Sequence, residues 1–275
     1  MPKYKKILNN KNAIEIDGKV VLSFDPRYKE YYENPKLDRY KESYYPANGN
    51  DNWTGWDNEA RFNRNLPKNK SLEYYKKNPI EYSYNNYGFR TPDDFNDTDE
   101  GNVFLGCSNT MGVGHHLENT WSYKVNKEIG GKFWNLSQGG CGIQTDYRLL
   151  LAWKDTLKIK NIFHYTVPWP RYEFFTDDEV VGLNHHKKDV RWKYKSHRRE
   201  FYLDVLSGER YCNYNQVVYI NAIKGLSHDI GCNYYYLTDK ILYEFPGNDN
   251  SIPSRDLGHY STGKQNFIYE EFKKL

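Results

Sequence analysis

From residue 101 onward, short apolar runs rich in β-branched and aromatic residues alternate with stretches of helical period, and this alternation restricts the possible folds more than any other feature. NVFLGCS reads as a buried strand. In ENTWSYKVNKEIGG, Trp121, Val125 and Ile129 fall four apart and predict one apolar helix stripe, stopped by the glycines. KFWNLS predicts a second strand, IQTDYRLLLAWKDTLK a second helix and NIFHYTV a third strand. YNQVVYINAIKGLSHDI, NYYYLT and KQNFIYEEFKKL continue as helix, strand and closing helix. The series predicts an α/β class, with a parallel sheet between helices in three α/β/α layers.

The first 95 residues follow no such rhythm. They are polar, aromatic and turn-rich, as in YYPANGNDNWTGWDNEARFNRNLPKNK, and predict an arm or small lobe ahead of a main domain over 96–275. KVVLSF suggests an edge strand, and Trp53 and Trp56 either stack on a ligand or pack the arm onto the main body. The hydrophobic fraction of 38% is low, but an aromatic content of 17%, with 27 Tyr, supplies the missing burial. No run approaches the ~20 apolar residues of a membrane span, and MPKYKKILNNKN lacks the apolar stretch of a signal peptide, so a cytoplasmic chain is expected. Cys107, Cys141, Cys212 and Cys232 form no C-x-x-C pair, which argues for packed thiols over a zinc site or disulfide framework. A formal charge of +3 is too small to demand a nucleic-acid partner.

Three glycine-bearing segments carry the chemistry. In FLGCSNTMGVG, Ser108 stands at a strand end, where a hydroxyl adds little apolar burial and must find a partner. Gly106, Gly112 and Gly114 permit a sharp turn, and the Ser108 amide faces a developing oxyanion if a helix begins there. A phosphate-binding or merely tight turn reads the same way. SRDLGHYSTGKQ places Asp256 three residues before His259, a spacing at which a carboxylate can fix the imidazole tautomer and stabilise the imidazolium. NLSQGGCGIQ, with Gly139, Gly140 and Gly142, offers a second amide donor or a plain turn. His115, His116, His185 and His186 are adjacent pairs without carboxylate spacing, and read as surface histidines before metal ligands.

In this order and at these separations, GCSNTMGVG, NLSQGGCG and DLGH resemble the SGNH (GDSL-type) hydrolases over roughly residues 96–275. NNYGFRTPD is similar to the Asn-x-x-Gly-Phe-Arg segment before the first strand of some polysaccharide-modifying members. The resemblance implies a flavodoxin-like parallel sheet, Ser108 as nucleophile and first oxyanion amide, Gly140 as second, His259 as base and Asp256 as its orienter. It also implies an ester of a carbohydrate as substrate, most simply an O-acetyl ester, with no metal or organic cofactor. The family's Gly-x-Asn-Asp block is replaced here by HYTVPWPRYEFF, without the Asn. Arg171 stands near its place, to donate to an oxyanion, clamp an anionic substrate or pair with Glu173. Cys107 takes a position where Asp is frequent, and is expected to pack. An insert over 170–212 contains HHKKDVRWKYKSHRR, with seven Lys or Arg against one Asp from Lys187 to Arg199 and with Trp192 and Tyr194 interleaved. It reads as an attractor for an acidic glycan or as a solvated helix face. The expected activity is ester hydrolysis through an acyl-enzyme, with polysaccharide O-acetyl transfer or a noncatalytic glycan-binding or structural module as alternatives.

Overall fold

The computed structural model describes residues 13–16, 19–22, 40–96, 98–166, 170–175, 180–184, 206, 208–246 and 249–275. The chain divides into two compact units, Met1–Tyr40 and Lys41–Leu275. In the first, β1 (Ala13–Ile16) and β2 (Lys19–Leu22) pair as an antiparallel hairpin. Residues 41–95, expected to continue the arm, belong instead to the second unit with the sheet.

Their part of that unit is built from short pieces. β3 (Asn50–Asp51) pairs antiparallel with β4 (Tyr82–Ser83), and between them lie α1 (Glu59–Asn65) and α2 (Glu73–Lys77). Asn58 caps α1 by accepting from the Arg61 amide. Phe62, Leu72, Tyr75, Ile80, Tyr82 and Tyr84 bury together with Met111 and Val113 from the main domain. α1, α2 and β4 each contribute a single core residue and β3 none, so no sustained apolar period appears in the sequence.

The central sheet is parallel. β5 (Glu100–Gly106), β6 (Lys132–Asn135), β7 (Lys158–Thr166) and β10 (Asn233–Thr238) lie in the order β6-β5-β7-β10, a flavodoxin-like order in which the first strand is interior. After β7, β8 (Arg171–Phe175) and β9 (Val180–Asn184) form a separate antiparallel ribbon. The helices are α3 (Ser108–Met111), α4 (Trp121–Ile129), α5 (Ile143–Trp153), α6 (Glu209–Ile230) and α7 (Thr262–Lys273).

Alternation along the strands feeds two cores. Val103, Leu105, Trp134 and Ile162 pack with Leu149, Leu150 and Trp153 of α5 and Ile223 of α6. Phe104, Phe133 and Phe163 pack with Trp121 and Val125 of α4 and Ile268 and Phe272 of α7. Both faces are covered, which gives three layers and explains the unbroken apolar runs of the strands. Ile129 departs from its predicted stripe: it is 47% exposed, because it is the last residue of α4 and the chain leaves through Gly130. Among the described residues no helix is long and apolar enough to cross a membrane, and all four cysteines are free, Cys107 and Cys141 being buried.

Candidate active site

β5 ends at Gly106, with φ +140°, where an added Cβ would lie 2.3 Å from Thr110 Oγ1 and 2.4 Å from the Tyr165 carbonyl oxygen. This close turn lets Ser108 open α3 at the carboxyl ends of the interior strands β5 and β7, where ligands gather in sheets of this order. As the first helical residue, Ser108 has an amide with no carbonyl partner inside the helix. Its side chain is buried, and Oγ contacts the neighbouring Cys107 Sγ at 4.0 Å.

The Gly140 turn leaves the sheet alongside. Leu136 N donates to Phe104 O at 3.0 Å, Gln138 N to Gly106 O at 3.3 Å and Cys141 Sγ to the same oxygen at 3.3 Å. Gly140 has φ +79°. At Gly142, which caps α5, an added Cβ would meet the Arg171 carbonyl oxygen at 2.2 Å.

The third segment arrives just before α7. His259 Nδ1 lies 2.8 Å from Asp256 Oδ2, and Asp256 has no exposed surface. Burial opposes ionisation of Asp256, but the His259 hydrogen bond and charge, the Gly258 amide and the Ser254 hydroxyl hold its carboxyl well below the usual range. With Nδ1 engaged by the carboxylate, Nε2 is the nitrogen available for proton transfer. Tyr260 N donates to Asn109 Oδ1 at 3.4 Å, so the immediate neighbours of His259 and Ser108 are hydrogen-bonded to each other. Gln265 Nε2, from α7, donates to the Asn109 carbonyl at 3.1 Å. The structure thus brings the Ser108, Gly140 and His259 segments to one end of the sheet. No hydrogen bond joins Ser108 Oγ to the His259 imidazole, a contact that often tightens only with substrate bound.

Arg171 is half-buried, with Nη1 3.5 Å from Cys141 O and a buried Nε that has no partner. Its pairing with Glu173 does not form. Glu173 is taken by Arg148, whose Nε and Nη2 donate at 2.7 and 2.9 Å, and by the hydroxyls of Tyr44 and Thr145. His115 is not a surface histidine: it is buried, its Nε2 sits against Tyr260 O, and burial lowers its pKa to about 4. His116 is half-buried, stacked on Tyr75 and bonded to Pro79 O at 3.2 Å. His185, His186 and the basic run Lys187–Arg199, with Trp192 and Tyr194, lie outside the described residues. Among the described residues no group of three or more His, Cys, Asp or Glu is placed to hold a metal ion.

Several residues at the site escaped the sequence reading. Arg90, in the NNYGFR segment, is fully buried over the Tyr82 ring and donates to the carbonyls of Met111, Gly112 and His115, fixing the turn after α3. Arg255 Nε and Nη2 bind Asp57 at 3.0 and 2.7 Å, and Tyr82 OH donates to the same carboxylate. Arg61 Nε and Asn65 Nδ2 donate to Asp256 O at 2.8 and 3.2 Å. The loop carrying the Asp256–His259 pair is therefore held from α1 and the turn before it. Trp53 packs on Phe62 and under Arg255, whereas Trp56 is 47% exposed beneath Arg61. A second Asp–His pair lies under the Ser108 turn: Asp146 Oδ1 accepts from Gly106 N at 2.9 Å and Oδ2 lies 3.2 Å from His164 Nε2, both side chains buried. The Arg90 segment was visible as a motif. Asp57 and Arg255 carried no sequence signal, since their pairing spans 198 positions.

No family model matches the chain, and no curated protein sequence matches it. Among solved structures it is similar to an acetyl xylan esterase, Est2A, from the rumen bacterium Butyrivibrio proteoclasticus, at 12% identity and a TM-score of 0.31. That alignment covers 65% of this chain and 64% of the esterase, so the chain spans less than two thirds of the enzyme it matches.

Proposed function

We propose that the protein is a serine ester hydrolase that removes O-acetyl or similar acyl groups from a carbohydrate. The observation that carries the reading is the Asp256–His259 pair, at 2.8 Å with its carboxylate buried, set against the Ser108 turn through the Asn109–Tyr260 hydrogen bond. His259 Nε2 accepts the Ser108 proton as Oγ attacks the ester carbonyl, and the amides of Ser108 and Gly140 receive the tetrahedral oxyanion. The imidazolium returns its proton to the leaving sugar oxygen. Water, deprotonated by the same nitrogen, then attacks the acyl-serine, and collapse of the second tetrahedral intermediate frees Ser108 and the carboxylic acid. Arg171 takes the place of the missing Asn as a third donor to the oxyanion, which its unpartnered Nε supports.

Intact-mass labelling with a fluorophosphonate tests this directly. One adduct is expected, lost in Ser108→Ala, together with a fall in p-nitrophenyl acetate turnover on the order of 10³-fold or more in Ser108→Ala and His259→Ala. A folded wild-type protein that neither labels nor turns over ester would be a noncatalytic module instead.

A further inference from the structure

Beside the loop that carries His259, the segment around α1 forms a pocket of about 380 Å³ lined by Gly55, Trp56, Asn58, Ala60, Arg61 and Arg64. Its lining joins an exposed indole to two guanidinium groups and one amide, with no carboxylate. The Arg61 guanidinium carbon lies 4.7 Å from the Trp56 ring centre, which holds the cation and the ring together. Asp57, between them in sequence, does not cancel this charge, because it is buried in its pair with Arg255. Glu59 is exposed on the same helix but does not line the pocket. A flat aromatic ring offers a packing surface to the C–H face of a pyranose, and arginine forks match a carboxylate.

The pocket also adjoins the candidate active site. Arg61 donates to Asp256 O, and its Nη2 lies 2.9 Å from where a Cβ on Gly258 would stand. Gly258 lies between Asp256 and His259, so one side chain separates the pocket from the acid–base loop.

We propose that this pocket is a substrate subsite for a uronate-bearing stretch of carbohydrate. Trp56 packs against a sugar ring and Arg61 and Arg64 bind its carboxylate, while the acyl ester of the same chain lies at Ser108. The assignment of a turned-over ester rests on the esterase reading; the binding of an acidic sugar does not.

The test uses full-length Ser108→Ala protein and isothermal titration with oligogalacturonate and with a neutral xylo-oligosaccharide of equal length. Oligogalacturonate should bind and the neutral sugar should bind more weakly, with added salt narrowing the difference. Adding Arg64→Ala or Trp56→Ala should weaken the acidic ligand about tenfold, and Arg64→Lys should retain part of its affinity. Circular dichroism checks that each variant is folded. In the protein with Ser108 intact, the ratio of kcat/KM for an acetylated uronate oligosaccharide over a neutral acetylated one should fall about tenfold in Arg64→Ala. Equal affinity for both sugars, or acidic binding untouched by both alanine variants, overturns the subsite. Acidic binding without any ester turnover would remove the esterase reading and leave the subsite standing; turnover without preference for uronate would do the reverse.

Discussion

A carboxylate with no exposed surface keeps its charge only where donors surround it, and Asp256 receives His259 Nδ1 together with the amides of Gly258 and His259. Its task in the proposed reaction is orientation, so Asp256→Asn should lower kcat less than His259→Ala does, both measured on p-nitrophenyl acetate with folded protein. The reverse order would mean that the two roles are misassigned. Because the folded pKa of Asp256 is depressed, its stabilising contribution is present above the ordinary carboxylate value and is lost only as pH falls below it. Loss of stability at milder acidity must come from elsewhere, and His115 supplies a source. Its folded pKa is lowered to about 4, mainly by burial, with His259 and Arg90 disfavouring its charge and Tyr260 O and Asp256 favouring it. A base that titrates lower in the folded state gives its full contribution above the unfolded value of about 6.5 and loses it as pH falls from there toward 4. Urea denaturation across that window should show the wild type losing on the order of 3 kcal/mol more than His115→Gln. Parallel slopes for the two proteins would dismiss His115 as the source. For Arg171, a donor to the oxyanion acts as charge develops, so Arg171→Ala should reduce kcat along with kcat/KM for a small neutral ester. If only KM for a charged polymer moves, Arg171 clamps substrate instead.

Elements place these residues through their ends. Gly106 closes β5 in a conformation and a space that no other residue fits, so Gly106→Ala should cost several kcal/mol and abolish fluorophosphonate labelling. Gly225 is the opposite case: it lies exposed within α6, nothing stands within 4 Å of its missing Cβ, and Gly225→Ala should stabilise by about 0.5–1 kcal/mol in urea denaturation. β5, β6, β7 and β10 and the helices α4 to α7 were legible in the sequence, the strands because both faces of the sheet are covered, which writes them as apolar runs; the β8–β9 ribbon, inside the segment read as a basic insert, was not. β3, β4, α1 and α2 were not legible, because two-residue strands and helices of five and seven residues leave too little room for a period. Ser108, Gly140, Asp256 and His259 were legible as segments of local sequence. Arg90 could be seen in its motif but not understood, since its partners are backbone carbonyls of Met111, Gly112 and His115, which carry no side-chain signature. The histidine reading failed at His115 because burial depends on the fold around it and not on its sequence neighbour His116, which is half-buried.

At the scale of the molecule, the contacts divide after Tyr40 and not at the sequence boundary near residue 95. A chain beginning at Lys41 should fold with a Tm within a few degrees of the intact protein, whereas one beginning at residue 96 should fail to show a cooperative melt. The second deletion removes Asp57, Arg61, Tyr82 and Arg90, and with them the charge that neutralises buried Arg255 and the donors that hold the turn after α3. Breaking the Asp57–Arg255 pair alone is expected to cost about 3–5 kcal/mol. Equal melting of the two truncated chains would refute this division. The same pair joins residues separated by 198 positions, so its closure must wait until the polypeptide has been made as far as Arg255. During translation β5 and Ser108 emerge and can begin to pack before His259 exists, so a ribosome-bound chain that has not reached His259 lacks the base of the proposed reaction. On the proposed mechanism, activity therefore waits until the loop from Arg255 to His259 has been made and has met the segment around Asp57, synthesised 198 positions before Arg255.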